Sequence, residues 1–262
     1  RFIHVACTNG KGSTAAMLAS CLQAAGYRVG LYTSPFINRF NERIQVNGQQ
    51  IPDEELVRLV ERVKPAADAM ADVPTEFEII TALGMLYFAE RHCDIVVLEV
   101  GLGGTLDSTN VIDPPECAVI TALGMDHVKE LGPTIADIAA AKAGIIKPGC
   151  CTVCYDGAPE VTQVLAQVCR EKGVPMHLAK WGTIKPLDHD LSGQRFVWRE
   201  QEYLLPLLQI TPSMLTFYPL LFVLMLVLSL GSMEILARLP FHELLIGKVE
   251  RRLLLRRKSG RT

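Results

Sequence analysis

The stretch Val5-Ala6-Cys7-Thr8-Asn9-Gly10-Lys11-Gly12-Ser13-Thr14 constrains this chain more than any other. An apolar run, Phe2 to Ala6, reads as a strand leading into it, and Met17, Leu18, Cys21 and Leu22 recur after it at helical spacing. Strand, glycine loop and helix together cradle phosphate. Glycine lets backbone N–H groups close on an anion, and the helix turns its positive end towards it. Lys11 supplies charge for the β- and γ-phosphates, and Ser13 or Thr14 a hydroxyl for Mg²⁺. The candidate nucleotide-binding residues are therefore Thr8, Asn9, Gly10, Lys11, Gly12, Ser13 and Thr14. The loop departs from G-x-x-x-x-G-K-[ST], because Gly12 separates lysine from serine and Cys7 stands where a first glycine is expected. The competing reading is a tight strand-to-helix turn with a solvated lysine.

Four later segments carry further chemistry. Asp94 to Val100 is an apolar run suited to a parallel strand covered on both faces, and it ends in Glu99 before Gly101-Leu102-Gly103-Gly104. An acid at the carboxyl end of such a strand is placed for ligand chemistry and can hold Mg²⁺. Cys117 to Thr121 reads as another strand, and Asp126-His127 follows it. His127 is a candidate ligand, against a plain surface histidine. Thr75-Glu76-Phe77-Glu78 has the spacing of a capping box, as Thr134 with Asp137 does. Lys142 sits on an Ala/Ile-rich helix where a lysine can simply snorkel.

These segments together resemble the folylpolyglutamate synthase/dihydrofolate synthase family of the Mur ligase superfamily, from Arg1 to about Leu208. The first loop is similar to its G-T-N-G-K-G-S. Ser34-Pro35 through Ile44 is similar to T-S-P-H-L…F-N-E-R-I, with Phe36 at the histidine, and Glu99 to Val111 to E-V-G-L-G-G-R-L-D-[AS]-T-N-V, with Thr105 at the basic residue. Lys142-Ala143-Gly144-Ile145 matches E-K-A-G-I, with Ala141 at the glutamate. The resemblance implies ATP and Mg²⁺ as cofactors, with Ser13, Glu99 and His127 at the metal. It implies Lys11, His127 and Lys142 (carbamylated in the family) as catalytic groups. Ser34, Pro35, Thr75, Phe77 and Glu78 then line the folate side. The implied reaction joins L-glutamate to a folate or dihydropteroate carboxylate through an acyl phosphate.

Composition narrows the alternatives. The chain has 262 residues and a net charge of −2, which gives no nucleic-acid footprint. Eight scattered cysteines without a secretory signal fit reduced thiols in the cytoplasm. Cys151 and Cys154 form a C-x-x-C, but on a strand their side chains face opposite ways, so core thiols are expected rather than a metal.

From Gln209 to Met233 no charge occurs, and a basic tail follows. The apolar run 214–230 is nearly long enough to span a membrane. Such an anchor would leave the ATP loop on the ATP-poor side, and a buried helix would lack any polar face. The favoured expectation is a truncated or frame-shifted coding sequence after residue 208, with a further segment missing before Phe2. The expected architecture is an α/β phosphate-loop domain over 1–208, its sheet mostly parallel and flanked by helices, then an aberrant segment over 209–262. A monomer acting on small molecules is expected. The alternatives are an ATP-binding remnant without catalysis, a Mur-type cell-wall ligase, and a membrane-anchored protein.

Overall fold

Strand β1 (Phe2–Ala6) lies at the centre of an eight-stranded sheet and is buried along nearly its whole length. The structure is a computed structural model that describes residues 1–180, 183–190, 193–198 and 200–206. The segment 209–262, with its apolar run and the domain boundary expected before it, lies outside the described residues.

The elements follow in order: α1 (Lys11–Ala24), β2 (Val29–Tyr32), β3 (Ile44–Val46), β4 (Gln49–Gln50), α2 (Asp53–Asp68), α3 (Glu76–Glu90) and β5 (Ile95–Glu99). Then come β6 (Cys117–Ile120), the short α4 (Val128–Leu131), α5 (Ile135–Lys142), β7 (Cys151–Tyr155), α6 (Pro159–Lys172) and β8 (Met176–Ala179). The sheet order is β4-β3-β2-β5-β1-β6-β7-β8. From β2 to β8 all pairings are parallel; β3 and β4 extend the edge antiparallel. Strands β9 (Ile184–Asp190), β10 (Gly193–Trp198) and β11 (Gln201–Pro206) form a separate antiparallel sheet. This is the α/β architecture expected.

Alternation along the parallel strands explains the layers. Ile3, Val5, Val97 and Val119 face one side and pack with Ala15 and Leu18 of α1. Val96 and Leu98 face the other side, against Leu59 of α2 and Ile80 and Leu83 of α3. Further along that second side, Ala118 and Ile120 meet Ala139 of α5 and Leu165 of α6. Each such buried Val, Leu or Ile side chain contributes about 1.5–3 kcal/mol. Cys151 joins the first side and Cys154 the second, both as free, buried thiols. The C-x-x-C is part of the core.

Three details differ from the sequence reading. The buried stripe of α1 is Thr14, Ala15, Leu18 and Ala19, with Met17, Cys21 and Leu22 only partly covered. Small residues let the helix sit close on the sheet, so its large side chains flank the contact. The apolar spacing Leu56, Leu59, Val60 and Val63 reads as the inner stripe of α2, yet only Leu59 is fully buried and Val60 is exposed. The hairpin β3–β4 was not foreseen. Its turn is Asn47-Gly48, both at positive φ, which is the pair a two-residue hairpin demands.

Candidate active site

The carboxyl ends of four neighbouring strands converge, where open α/β sheets place their ligands. After β1 comes the loop Cys7–Gly10. Gly10 adopts φ 85° and caps α1 without any side-chain bond, which leaves the first N–H groups of that helix facing the loop. The loop is tied to the segment after β6: Thr8 N donates to Ala122 O at 3.1 Å, and Thr8 Oγ1 donates to Gly124 O and accepts from Gly124 N, both at 3.0 Å. Lys11 Nζ folds back on Cys7 O at 3.2 Å, and Lys142 Nζ reaches that same carbonyl at 3.0 Å. Lys142 is buried, so it does not snorkel as a surface lysine would. Burial, and then the nearby Lys11, lower its pKa. The Cys7 thiol donates to Asn9 O at 2.8 Å, and burial pushes its pKa up to about 11, so it is an inert part of the loop.

Glu99 closes the floor. It is only 3 % exposed, and a methyl placed on Gly12 would stand 3.5 Å from its Oε2. Burial pushes its pKa up to about 7, against the pull of the Ser34 N–H, Lys11 and Arg43. A solvated strand-end glutamate is thereby ruled out. A buried carboxylate short of positive charge beside a phosphate loop is the hard oxygen donor that Mg²⁺ takes. Among the described residues, no three His, Cys, Asp or Glu side chains gather into a ready-made metal cluster. The donor set fits an ion that keeps most of its waters. Ser13 follows Gly12 in the first turn of α1. His127 stands on the surface beside Asp126, 3.6 Å from its carboxylate, with φ at 49°. No hydrogen bond joins it to Glu99 or Ser13 in the structure.

A cleft of about 970 Å³ opens beside Glu99, and Ser34, Pro35, Thr75, Phe77 and Glu78 all line it. Ser34 N donates to Glu99 Oε2 at 3.1 Å, so one carboxylate lies against the phosphate loop and also anchors the cleft. The Ser34–Pro35 peptide is cis. Thr75 and Glu78 do form the capping box of α3: Thr75 N donates to Glu78 Oε2 at 2.7 Å, and Glu78 N to Thr75 Oγ1 at 3.3 Å. The Thr75 N–H and then the Thr75 hydroxyl, both donating to Glu78 Oε2, hold its carboxyl below the ordinary range. The cap and the cleft lining are therefore the same residues. Thr75→Ala should lower the melting temperature by about 2–4 °C. Thermal unfolding followed by circular dichroism checks this; no change would mean the cap adds nothing.

The cleft also holds residues that the sequence reading passed over. Arg43 lines it, with its guanidinium 5.3 Å from the Phe36 ring and 5.8 Å from the Phe40 ring. Its Nε is buried without a partner. The segment Phe36–Ile44 is thus no loose loop: Glu42 accepts from the N–H groups of Ile37, Asn38 and Arg39, and Asn41 is buried. Asp107 and the glycine run Gly101–Gly104 form another wall. Asp107 accepts from Thr109 N, a side-chain turn that Asp-x-Thr signals in sequence. Two departures from the resembled family meet here, since Thr105 donates through N and Oγ1 to Ala141 O at 2.9 and 3.0 Å.

The fold and the sequence both have known counterparts. Residues 5–153 match the Mur ligase middle domain. The dihydrofolate synthase/folylpolyglutamate synthase of Bacillus subtilis is 52 % identical over 180 residues, which are 67 % of this chain and 42 % of that protein. The folylpolyglutamate synthase of Thermotoga maritima superposes with a TM-score of 0.77 at 35 % identity, covering 88 % of this chain and 54 % of that one. A folylpolyglutamate synthase complex with AMPPCP and folate gives a TM-score of 0.71 at 43 % identity, covering 77 % and 51 %. The chain spans about half the length of the relatives it matches. With its phosphate loop, its sheet and more than half of its residues accounted for in this way, the chain belongs to the Mur ligase family, on the folylpolyglutamate synthase/dihydrofolate synthase branch.

Proposed function

We propose that this chain is the nucleotide- and pterin-binding part of an ATP-dependent ligase that adds L-glutamate to a folate or dihydropteroate carboxylate. The observation that carries the reading is the position of Glu99, which lies against Gly12 of the phosphate loop and accepts the Ser34 N–H of the cleft. ATP on the loop and a carboxylate in the cleft would then meet across one side chain. The matched complex with AMPPCP and folate supports the same pairing of ligands.

A carboxylate does not react with an amine until an oxygen becomes a good leaving group. Phosphoryl transfer from ATP makes it one, and the glutamate amine then displaces phosphate. Lys11, the N–H groups at the start of α1 and the helix dipole would hold the phosphates and stabilise charge as the phosphoryl group moves. Ser13 and Glu99 would hold Mg²⁺, with His127 at the rim; the ion supplies charge neutralisation between the phosphates. Lys142, buried beside Cys7 O, would fix the back of the loop. Ser34, Pro35, Thr75, Phe77 and Glu78 would contact the substrate, with Phe77 offering its ring. The setting is the cytoplasm, where ATP and folates occur, and the chain acts as a monomer without nucleic acid. No helix of the described residues is long and apolar enough to cross a membrane.

Calorimetric titration of folate and dihydropteroate into the Mg-ATP-loaded chain tests this. The expected result is binding by at least one of them, weakened about 10-fold or more in Phe77→Ala, the size of effect expected when an aromatic contact is lost. Binding of a nucleotide-linked cell-wall precursor instead would overturn the folate reading in favour of a Mur-type ligase.

A further inference from the structure

On the side of the sheet that carries α2, α3, α5 and α6, the central strand presents a polar residue. His4 is fully buried, and its Nε2 lies 2.8 Å from Thr109 Oγ1. The Thr109 hydroxyl lies 2.5 Å from Asp107 Oδ1, which also accepts the Thr109 N–H at 3.0 Å. A hydroxyl has one proton, and here the carboxylate takes it. Thr109 can therefore only accept from His4, which fixes the ring as the Nε2–H tautomer. His4 Nδ1 is left buried with no partner. Burial, with Lys147 nearby, lowers the His4 pKa to about 3, so the ring stays neutral.

The far end of this chain of bonds is the cleft wall. Asp107 Oδ2 accepts the Leu102 N–H at 2.7 Å, and Asp107, Gly101 and Leu102 all line the cleft. Gly101 has no room for a side chain, because a methyl there would stand 2.5 Å from Phe77 Cζ and 3.2 Å from Asp107 Oδ2. Lys147 pins the next residues, donating to Asn110 O and Ile112 O. A buried polar side chain on the central strand that costs an unmet acceptor calls for a purpose.

We propose that His4 is a positioning residue for the ligand cleft: through Thr109 and Asp107 it fixes the Gly101–Leu102 peptide that forms the cleft wall. The effect on ligand affinity rests on the folate reading above; the effect on the peptide does not.

Native-state amide exchange by NMR on the full chain separates the two. In His4→Phe and in Thr109→Val the Leu102 amide should exchange at least 10-fold faster, while Val97 in the neighbouring strand keeps its rate. Thr109→Ser should return Leu102 to within about threefold of the starting rate. An unchanged Leu102 rate in folded Thr109→Val overturns the proposal. An unchanged Leu102 rate in folded His4→Phe overturns it equally, and if Thr109→Val fails to fold, His4→Phe alone decides. Folate affinity should fall at least 10-fold in Thr109→Val, with Mg-ATP affinity held within twofold and recovery in Thr109→Ser. A freed Leu102 amide with unchanged folate affinity would contradict the role in the cleft. If the unaltered chain binds no folate, the folate reading falls, and the Leu102 rates still decide the positioning.

Discussion

Replacing Glu99 by glutamine should make the metal-free chain more stable at pH 8 and leave its stability at pH 4.5 nearly unchanged. An ordinary glutamate titrates near 4.5, and Glu99, desolvated between β5 and the phosphate loop, titrates at about 7. Its folded pKa lies above its unfolded one, so folding takes up a proton between those values. The favourable contribution is complete below about 4.5 and is lost as pH rises through about 7. Above that, the folded chain carries a buried carboxylate that its surroundings do not fully compensate, at a cost of about 3 kcal/mol. Glutamine keeps the shape and an acceptor for the Ser34 N–H, and carries no charge. Thermal unfolding in EDTA should therefore show Glu99→Gln melting about 6–12 °C higher at pH 8. Adding Mg-ATP should raise the melting point of the unaltered chain much more than that of the variant. A gain of the same size at both pH values would show that charge burial is not its cause. No difference in the response to Mg-ATP would remove Glu99 from the metal site.

Gly144→Ala should have an effect of similar size and opposite sign. Gly144 lies in the tight turn after α5, and a methyl there would stand 2.1 Å from Thr105 Oγ1 and 2.4 Å from Thr105 Cα. Thr105 cannot simply rotate away, because a backbone atom clashes as well as the hydroxyl and two bonds tie the residue to Ala141 O. Overpacking of this kind costs about 1–3 kcal/mol and forces a backbone shift. The shift falls on Gly104 and Thr105, both of which line the cleft. The melting temperature should fall by about 2–12 °C, with a loss of folate affinity beyond what stability alone explains. Because Thr105 Cα contributes to the clash, Thr105→Gly in the Gly144→Ala background should restore only part of the loss. Full tolerance of the alanine would mean that α5 and the glycine run are less closely packed than the structure has them.

Much of this arrangement is legible in the residues, for identifiable reasons. The parallel strands are apolar runs ended by glycine, proline or small polar residues, and the loop after β1 carries its lysine at the start of a helix, so period and punctuation locate both. Thr75-x-x-Glu78 and Thr134-x-x-Asp137 announce their caps because a capping box is a local bond pattern. Arg43 escaped because its place beside Phe36 and Phe40 depends on how the Phe36–Ile44 segment wraps around Glu42. That wrapping is a matter of backbone N–H groups, which sequence does not display. Asp107 escaped as a cleft residue because its partners, Leu102 N and Thr109, come together only when the glycine run folds back. His4 passed unmarked inside the run Phe2–Ala6, because the partner that gives it a role lies 105 positions away. The α1 stripe was misjudged because large apolar residues were weighted above the alanines that allow close helix–sheet contact.

On the reading proposed above, Lys11 and the loop around it hold the phosphates of ATP. Calorimetric titration of Mg-ATP into the whole chain, beside Lys11→Ala, tests it most directly. Among the described residues the Lys11 ammonium hydrogen-bonds only to carbonyls of its own loop, Cys7 O and Thr8 O, so its removal should leave the fold intact. The account predicts saturable binding of one nucleotide per chain, weakened at least 100-fold in Lys11→Ala, as expected for the loss of a charge-assisted phosphate contact. Equal affinity in the two folded proteins, or no binding by the unaltered chain, would contradict it.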